Sequence, residues 1–225
     1  MSIVAVVPLK RLDEGKQRLS PCLPARARAQ LSLAMAADVL TALRGAPAVA
    51  ETWLVCDDNR AAALAIAHGA RWLSEHELGG SGDLNAVAAA ATACCQREGH
   101  AGLLLAHADL PALRAADVEA LADSWRRLGG GKRLLLAPSH DGGTSLMLLT
   151  PTPGFPFRYG PGSAQRHRLA AEAAGYRVVV EPHAWAVRDV DTPADLAATT
   201  TAAAQGRCGI RTGLFLRRGE AIGTV

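Results

Sequence analysis

Two short, wholly apolar segments constrain the fold of this chain more than any other feature. Residues 3–7 are rich in β-branched side chains, and Gly102–Ala106 is an equally apolar run further along. A strand without alternating polar residues is buried on both faces, which is typical of a parallel sheet covered by helices. Predicted helices alternate with the strands, beginning with Ala25–Arg44, which Gly45 ends. We therefore predict an α/β fold, a doubly wound and mostly parallel sheet with an antiparallel strand or two inserted late.

The end of the chain is less regular in its sequence. Residues 185–190 predict a last short strand, and a helix is expected to begin at Pro193. From Gly206 onward the apolar residues show no helical period, which predicts a short arm or a partly disordered segment. We therefore predict a single domain over residues 1–205 and a C-terminal tail over residues 206–225.

Composition narrows the class of protein. Of 225 residues, 49% are hydrophobic and 20% are charged, as expected of a globular chain rather than a disordered one. The net charge of +3 suits a small anionic substrate but is too weak to indicate nucleic-acid binding. Aromatic residues make up 4% of the chain, which leaves few side chains for stacking on bases. No nucleic-acid partner is expected.

Cysteine usage and hydropathy predict the compartment. The five cysteines are scattered and form no C-x-x-C pair, which favours reduced thiols over disulfides or a zinc site. No basic segment precedes the first strand, and no apolar run approaches the roughly 20 residues that span a bilayer. We expect a cytoplasmic protein without a membrane partner. Whether it forms a homodimer is left open.

A basic loop follows the first strand directly. The strand ends at Pro8, and the next ten residues include four cations, Lys10, Arg11, Lys16 and Arg18. Ligands of open α/β sheets bind at the carboxyl ends of the strands, so these cations are expected at the ligand edge. Fixed positive charge there suits a polyphosphate and predicts a nucleotide site. A solvated basic loop explains the segment about equally well.

Acidic residues follow two other strands. Asp109 comes directly after Gly102–Ala106, and Asp189 and Asp191 lie two positions apart, so both side chains are expected on one face. Carboxylates on one face repel each other unless a cation lies between them, which predicts a divalent metal with oxygen ligands. The alternative is that they end strands and cap helices. Capping is the better explanation for Asp195, at the third position of a helix that Thr192 caps.

Several motifs occur along the chain in a fixed order. They are VPLK, KQRLS, GDLNA, HADLP, DGGT, YGPGS with His167, and DVDTPADL. With these motifs in this order, the chain resembles the guanylyltransferases of coenzyme F420 biosynthesis, which act on 2-phospho-L-lactate, phosphoenolpyruvate or 3-phospho-D-glycerate. The resemblance covers residues 3–198, and Ser145 departs from it where the family usually has asparagine.

The resemblance implies a fold like that of the nucleotide-diphospho-sugar transferases, Mg²⁺ as cofactor, and GTP and a small phosphorylated acid as substrates. Independently, Gly160 and Gly162 let the backbone approach a ligand closely, and Ser163 begins a helix whose free N–H groups favour an anion. A plain turn and helix cap is the alternative there. The implied contacts are Lys10, Lys16 and Arg18 with the GTP phosphates, Gly82, Leu84 and Asn85 with guanine, Asp109, Asp189 and Asp191 with Mg²⁺, and Thr144, Gly160 and Ser163 with the acid.

The chemistry this implies is nucleotidyl transfer, in which an acceptor phosphate oxygen attacks the α-phosphorus of GTP and pyrophosphate leaves. The attacking oxygen is already ionised, so no base is required, and positioned cations must offset the repulsion between anions. Polar side chains around the acceptor loops favour 3-phospho-D-glycerate, which carries a free hydroxyl, over the other two acids. The rivals are a cytidylyltransferase, a molybdopterin guanylyltransferase and a non-catalytic nucleotide-binding module.

Overall fold

A central sheet of seven strands organises the molecule. The computed structural model describes residues 2–79, 82–184 and 189–218. The strand order is β3-β2-β1-β4-β6-β5-β7, and β6 runs antiparallel to both of its neighbours while the other pairs are parallel. This confirms the mostly parallel sheet with a late antiparallel strand. The strands are β1 Ile3–Pro8, β2 Val49–Val55, β3 Arg71–Leu73, β4 Gly102–Ala106, β5 Arg133–Pro138, β6 Thr144–Leu149 and β7 Arg177–Val180.

Helices connect the strands, as the sequence predicts. Of the last predicted strand, residues 185–188 lie outside the described residues, and Asp189 and Val190 are not in a strand. In the part of the chain that the structure describes, no helix has the length and apolar character needed to cross a membrane. The helices are α1 Ala25–Arg44, α2 Asn59–Ala67, α3 Glu75–Leu78, α4 Leu84–Arg97, α5 Ala115–Arg127, α6 Ser163–Ala173, α7 Pro193–Ala204 and α8 Ile210–Arg217.

The core lies on both faces of the sheet, which is why β1 is apolar throughout. Ala5 and Val7 are fully buried on the side covered by α1 and α5. Val4 and Val6 are fully buried on the opposite side, against α4 and α6. Because β1 pairs with β4 in parallel, with Ile3 opposite Gly102, the loops that follow the two strands leave the sheet at the same edge.

The described part of the C-terminal tail, residues 206–218, contains a helix, so the expectation that this part lacks helical structure was wrong. Residues 210–217 form α8, whose first amides donate to Asp38 of α1, from Arg211 at 2.9 Å and from Thr212 at 2.8 Å. Phe215 is 7% exposed in an apolar cluster with Val190 and residues of α1. The helix is stabilised by this tertiary packing and by Asp38, 173 positions earlier in the chain, which a local sequence pattern cannot reveal.

Candidate active site

A cavity of about 400 Å³ opens at the carboxyl edge of the sheet. The loops after β1 and β4, the face of α1 and the segment from α3 to α4 form its walls. Its position agrees with the general location of ligand sites in open α/β sheets. Seven of the predicted site residues line it: Lys10, Lys16, Arg18, Gly82, Leu84, Asp109 and Asp191.

Lys16 lies at the centre of the charged wall. Its ammonium donates to Asp109 Oδ2 and, at 2.6 Å, to Asp191 Oδ1, and its side chain is 11% exposed. Burial by itself would lower the pKa of Lys16, but the two carboxylates outweigh it and raise the pKa. Lys16 therefore stays protonated. Its two ion pairs join the loop after β1 to the loop after β4, which carries Asp109, and to the segment before α7, which carries Asp191.

The backbone of Lys16 is itself unusual. Its φ of +52° is the one left-handed value among the non-glycine residues that the structure describes. This conformation costs a residue with a Cβ roughly 1–2 kcal/mol. Such strain persists only where the surrounding structure holds it, and here the carbonyl of Lys16 accepts from the amide of Leu19 at 3.0 Å, at the start of a short 3-10 turn. Lys10 and Arg18, by contrast, are exposed on the cavity rim.

Asp109 combines burial with an unsatisfied acceptor. Its Oδ1 is buried and has no hydrogen-bond partner among the described residues, while Oδ2 accepts from Lys16. Burial would raise the pKa of Asp109, but Lys16 more than offsets it and keeps the pKa below its usual range. A buried, ionised oxygen without a donor is suited to contact a bound cation.

Asp189 and Asp191 lie on either side of Val190, and of the two only Asp191 lines the cavity. Val190 is fully buried in the apolar cluster with Phe215. Burial, followed by the charges of Asp109 and Asp191, raises the pKa of Asp189 to about 6. The predicted cap of α7 is confirmed: Thr192 Oγ1 accepts from the amide of Asp195 at 3.2 Å, and Asp195 Oδ2 accepts from the amide of Thr192 at 2.7 Å. Asp195 Oδ2 also accepts from the amide of Asp191 at 3.2 Å. Asp195 thus fixes the backbone that presents Asp191.

The donor set fits the predicted Mg²⁺. Asp109, Asp189 and Asp191 offer only carboxylate oxygens, which Mg²⁺ prefers, and the unpartnered Oδ1 of Asp109 supplies a ready ligand. The three carboxylates are not gathered within 4.8 Å of one another, and the Lys16 ammonium lies between two of them. The described group that does meet that distance is Glu51, Glu98 and His100, which lies at the opposite edge of the sheet. Metal binding by the aspartates stays a prediction.

The predicted guanine residues begin α4. Gly82 has a φ of +62°, and the side chain of Asp83 caps the helix, so that Leu84 faces the cavity. Asn85 does not line the cavity. Its Oδ1 accepts from the amide of Tyr159 at 2.7 Å, which ties α4 to the loop before α6. Contacts of Gly82, Leu84 and Asn85 with guanine stay predictions, and Asn85 has a visible structural role.

The predicted acceptor residues form a separate, buried network. Ser163 Oγ donates to Thr144 Oγ1 at 3.1 Å, and Thr144 Oγ1 contacts His167 Nδ1 at 3.0 Å. His167 Nε2 accepts from the amide of Arg158 at 2.8 Å, so Nδ1 carries the proton of the neutral ring. Thr144 and Ser163 are each 2% exposed and do not line the cavity. Gly160, with a φ of +117°, is exposed beside them.

Sequence reasoning missed several residues of the cavity wall. Glu75, in the short helix α3, faces the cavity near Gly82, and Ser32 and Met35 of α1 line another part of it. Ser32 and Met35 are three positions apart, so the helical period of α1 could have placed them on one face. Glu75 carries no such signal, because α3 has four residues and no predicted period. His107, two positions before Asp109, lines the cavity as well.

Comparison with known proteins shows which family the chain resembles in sequence. The family model described as "Guanylyl transferase CofC like" matches residues 3–204. A phosphoenolpyruvate guanylyltransferase from Roseiflexus sp. (strain RS-1) is 38% identical over 197 residues, which cover 87% of this chain and 84% of that protein. Another protein of that name, from Roseiflexus castenholzii (strain DSM 13941 / HLO8), is 36% identical over 196 residues and 87% of each chain.

A solved structure shows the same fold. A crystal structure assigned to the nucleotide-diphospho-sugar transferases, from Desulfovibrio desulfuricans G20, superposes with a TM-score of 0.78 over 98% of this chain and 96% of that one. The two share 18% sequence identity, so the likeness concerns the fold. It confirms the predicted nucleotide-diphospho-sugar transferase-like architecture. Because the family model and the curated relatives both span most of its length, this chain belongs to the CofC-like guanylyl transferase family.

Proposed function

We propose that this protein transfers the GMP group of GTP to the phosphate of a small phosphorylated carboxylic acid and releases pyrophosphate. The observation that carries the proposal is the placement of Lys16 between Asp109 and Asp191 on the wall of one cavity. Lys10 and Arg18 add two further cations on its rim. A non-catalytic module would need neither the strained lysine nor the buried carboxylates. Membership of the guanylyl transferase family supports the proposal independently.

The reaction requires charge compensation rather than proton transfer. An acceptor phosphate oxygen forms a bond to the α-phosphorus of GTP, and the bond from that phosphorus to the β-phosphate oxygen breaks. No proton moves, because both the nucleophile and the leaving group are ionised at neutral pH. Lys16 and Lys10 are placed to reduce the repulsion between the anions and to stabilise charge on the departing pyrophosphate.

Bound Mg²⁺ would supply further charge stabilisation and orient the phosphates. Asp109, Asp189 and Asp191 are the residues that would hold it. Lys16 has to yield part of its contact with these carboxylates when a cation and a polyphosphate enter. Its ammonium then lies within reach of the phosphates, which gives this side chain the dual role of counter-ion in the free protein and phosphate ligand in the complex.

The acceptor we propose first is phosphoenolpyruvate. The sequence favoured 3-phospho-D-glycerate because polar side chains surround the acceptor loops. In the structure those groups satisfy one another: Thr144 pairs with Ser163 and His167, and Ser139 donates to Asp141. The argument for a site that needs a substrate hydroxyl therefore loses its support, whereas the relatives are named for phosphoenolpyruvate. We place the reaction in the biosynthesis of coenzyme F420 or a derivative, where the family acts.

The test is a pyrophosphate-release assay with GTP, Mg²⁺ and equal concentrations of phosphoenolpyruvate, 3-phospho-D-glycerate and 2-phospho-L-lactate. We expect turnover with GTP that EDTA abolishes, and mass spectrometry should identify the GMP adduct of phosphoenolpyruvate as the main product. A predominant adduct of another acid would overturn the assignment of the acceptor alone. Turnover with CTP in place of GTP, or no turnover with any of these acids, would overturn the proposed reaction.

A further inference from the structure

Glu75 contributes a carboxylate to the cavity that the proposed chemistry does not use. It is partly buried and lines the same wall as Gly82, Leu84 and Val87, at the start of α4. The three aspartates are concentrated around Lys16. The other glutamate in the cavity, Glu14, is 67% exposed and pairs with Arg11. Among the described residues that line the cavity, Glu75 is therefore the acidic side chain that lies near the start of α4.

The carboxylate of Glu75 is held in place from several directions. Its Oε2 accepts from the amide of Gly82 at 2.9 Å, and its own amide donates to Asp57 Oδ1 at 2.8 Å. A capping box between Ser74 and Glu77 fixes the short helix on which it lies. A side chain held in this way loses little conformational freedom when a ligand binds. An ionised carboxylate offers about four lone-pair sites, so the bond from Gly82 leaves acceptor capacity for a ligand.

We propose that Glu75 selects guanine by accepting hydrogen bonds from N1–H and the 2-amino group of the base. This inference rests on the proposed use of GTP and adds the group that recognises its base. Guanine presents two adjacent donors on this edge, which match one carboxylate, whereas adenine and cytosine present an unprotonated ring nitrogen that the carboxylate repels. Leu84 and Val87 supply an apolar wall beside it on which the face of the base can pack.

A change of one atom type tests this proposal. Glu75→Gln keeps an oxygen for the Gly82 amide but replaces the other oxygen by an NH₂ donor. Xanthosine triphosphate carries a carbonyl acceptor where guanine has its 2-amino donor. The wild-type protein should therefore prefer GTP over xanthosine triphosphate, and Glu75→Gln should reverse the preference. Each change in KM is expected to be on the order of 10–100-fold, as for hydrogen bonds to charged groups.

Glu77→Gln is the matched control. It lies on the same helix and removes the same charge, and glutamine also completes a capping box, so α3 should stay intact. Its KM values for both nucleotides should equal those of the wild type. Circular dichroism of both variants checks that the fold is retained.

The outcomes separate this inference from the proposed function. If Glu75→Gln keeps the wild-type preference for GTP, Glu75 does not read the base. If it raises KM for both nucleotides equally, and 2′-deoxy-GTP is bound as weakly by the wild type, the carboxylate contacts the ribose and the inference is wrong. If the wild type does not turn over GTP at all, the proposed function itself fails. Reversed preference in Glu75→Gln with an unchanged Glu77→Gln control confirms the assignment.

Discussion

Removal of the Lys16 ammonium should change stability and turnover in separable ways. In the free protein this group neutralises Asp109, whose side chain is 17% exposed, and Asp191, whose side chain is 43% exposed. Breaking a fully buried pair costs about 3–5 kcal/mol because the remaining charge is uncompensated. Since only Asp109 is deeply buried here, we expect Lys16→Ala to lower the free energy of unfolding by about 2–3 kcal/mol in EDTA.

Because the backbone at Lys16 is left-handed, a second substitution can separate two contributions to the free energy of unfolding, that of the ammonium and that of the backbone strain. Lys16→Gly removes the same ammonium and also relieves a strain of roughly 1–2 kcal/mol. Glycine also makes the unfolded chain more flexible, which opposes this gain by roughly 0.4–1 kcal/mol. Lys16→Gly should therefore be more stable than Lys16→Ala by about 1 kcal/mol. Turnover should fall by about 10²–10³ in both variants, because both lose the group that stabilises transition-state charge.

Urea unfolding followed by circular dichroism in EDTA measures the stabilities, and pyrophosphate release measures turnover. Arg11→Ala is the control from the same loop, since the Arg11 side chain is 50% exposed and pairs with exposed acids. Its stability should stay within about 0.5 kcal/mol of the wild type, with turnover nearly unchanged. Wild-type stability in Lys16→Ala, or a Lys16→Gly protein no more stable than Lys16→Ala, would refute the reasoning.

Three further predictions follow from the site and its support. Asp189→Ala and Asp191→Ala should each lower turnover by several orders of magnitude with the fold intact by circular dichroism, and full turnover at saturating Mg²⁺ in either variant would contradict the metal assignment. Burial lowers the pKa of His167 to about 4 in the folded protein, whereas the same histidine in the unfolded chain has a pKa near 6.5. As the pH falls, the unfolded chain therefore binds the proton at a higher pH than the folded protein does. The free energy of unfolding should therefore fall by about 3 kcal/mol between pH 6.5 and pH 4, and His167→Gln should flatten this dependence in urea titrations. Phe215→Ala should lower the free energy of unfolding by about 3 kcal/mol, whereas the exposed Arg218→Ala should not, and equal stability of the two would show that α8 contributes little.

The fold was predictable because its signals are local. The unbroken apolar character of residues 3–7 and 102–106 follows from burial on both faces, and the structure buries both faces of β1. The cap of α7 was predictable for the same reason, since Thr192, Pro193 and Asp195 interact within one helical turn. The order of motifs from VPLK to DVDTPADL is enough to indicate the family from the sequence alone.

What the sequence could not determine depends on contacts between distant segments. The Lys16 ammonium is paired with carboxylates that lie 93 and 175 positions away in the chain. The sequence shows only that residues 144, 163 and 167 carry polar side chains. The structure shows that Thr144 is hydrogen-bonded to both Ser163 and His167, so these groups satisfy one another's hydrogen-bonding capacity.

Periodicity and motif order are properties of neighbouring residues, so they were enough to predict the sheet, the family and the edge at which the charged residues meet. Only the folded chain shows that residues 210–217 form a helix, that Asn85 and the acceptor hydroxyls bond within the protein, and that Glu75 faces the cavity. The physical reason is that a polar group's role depends on which donors and acceptors surround it after burial, and those partners come from elsewhere in the chain.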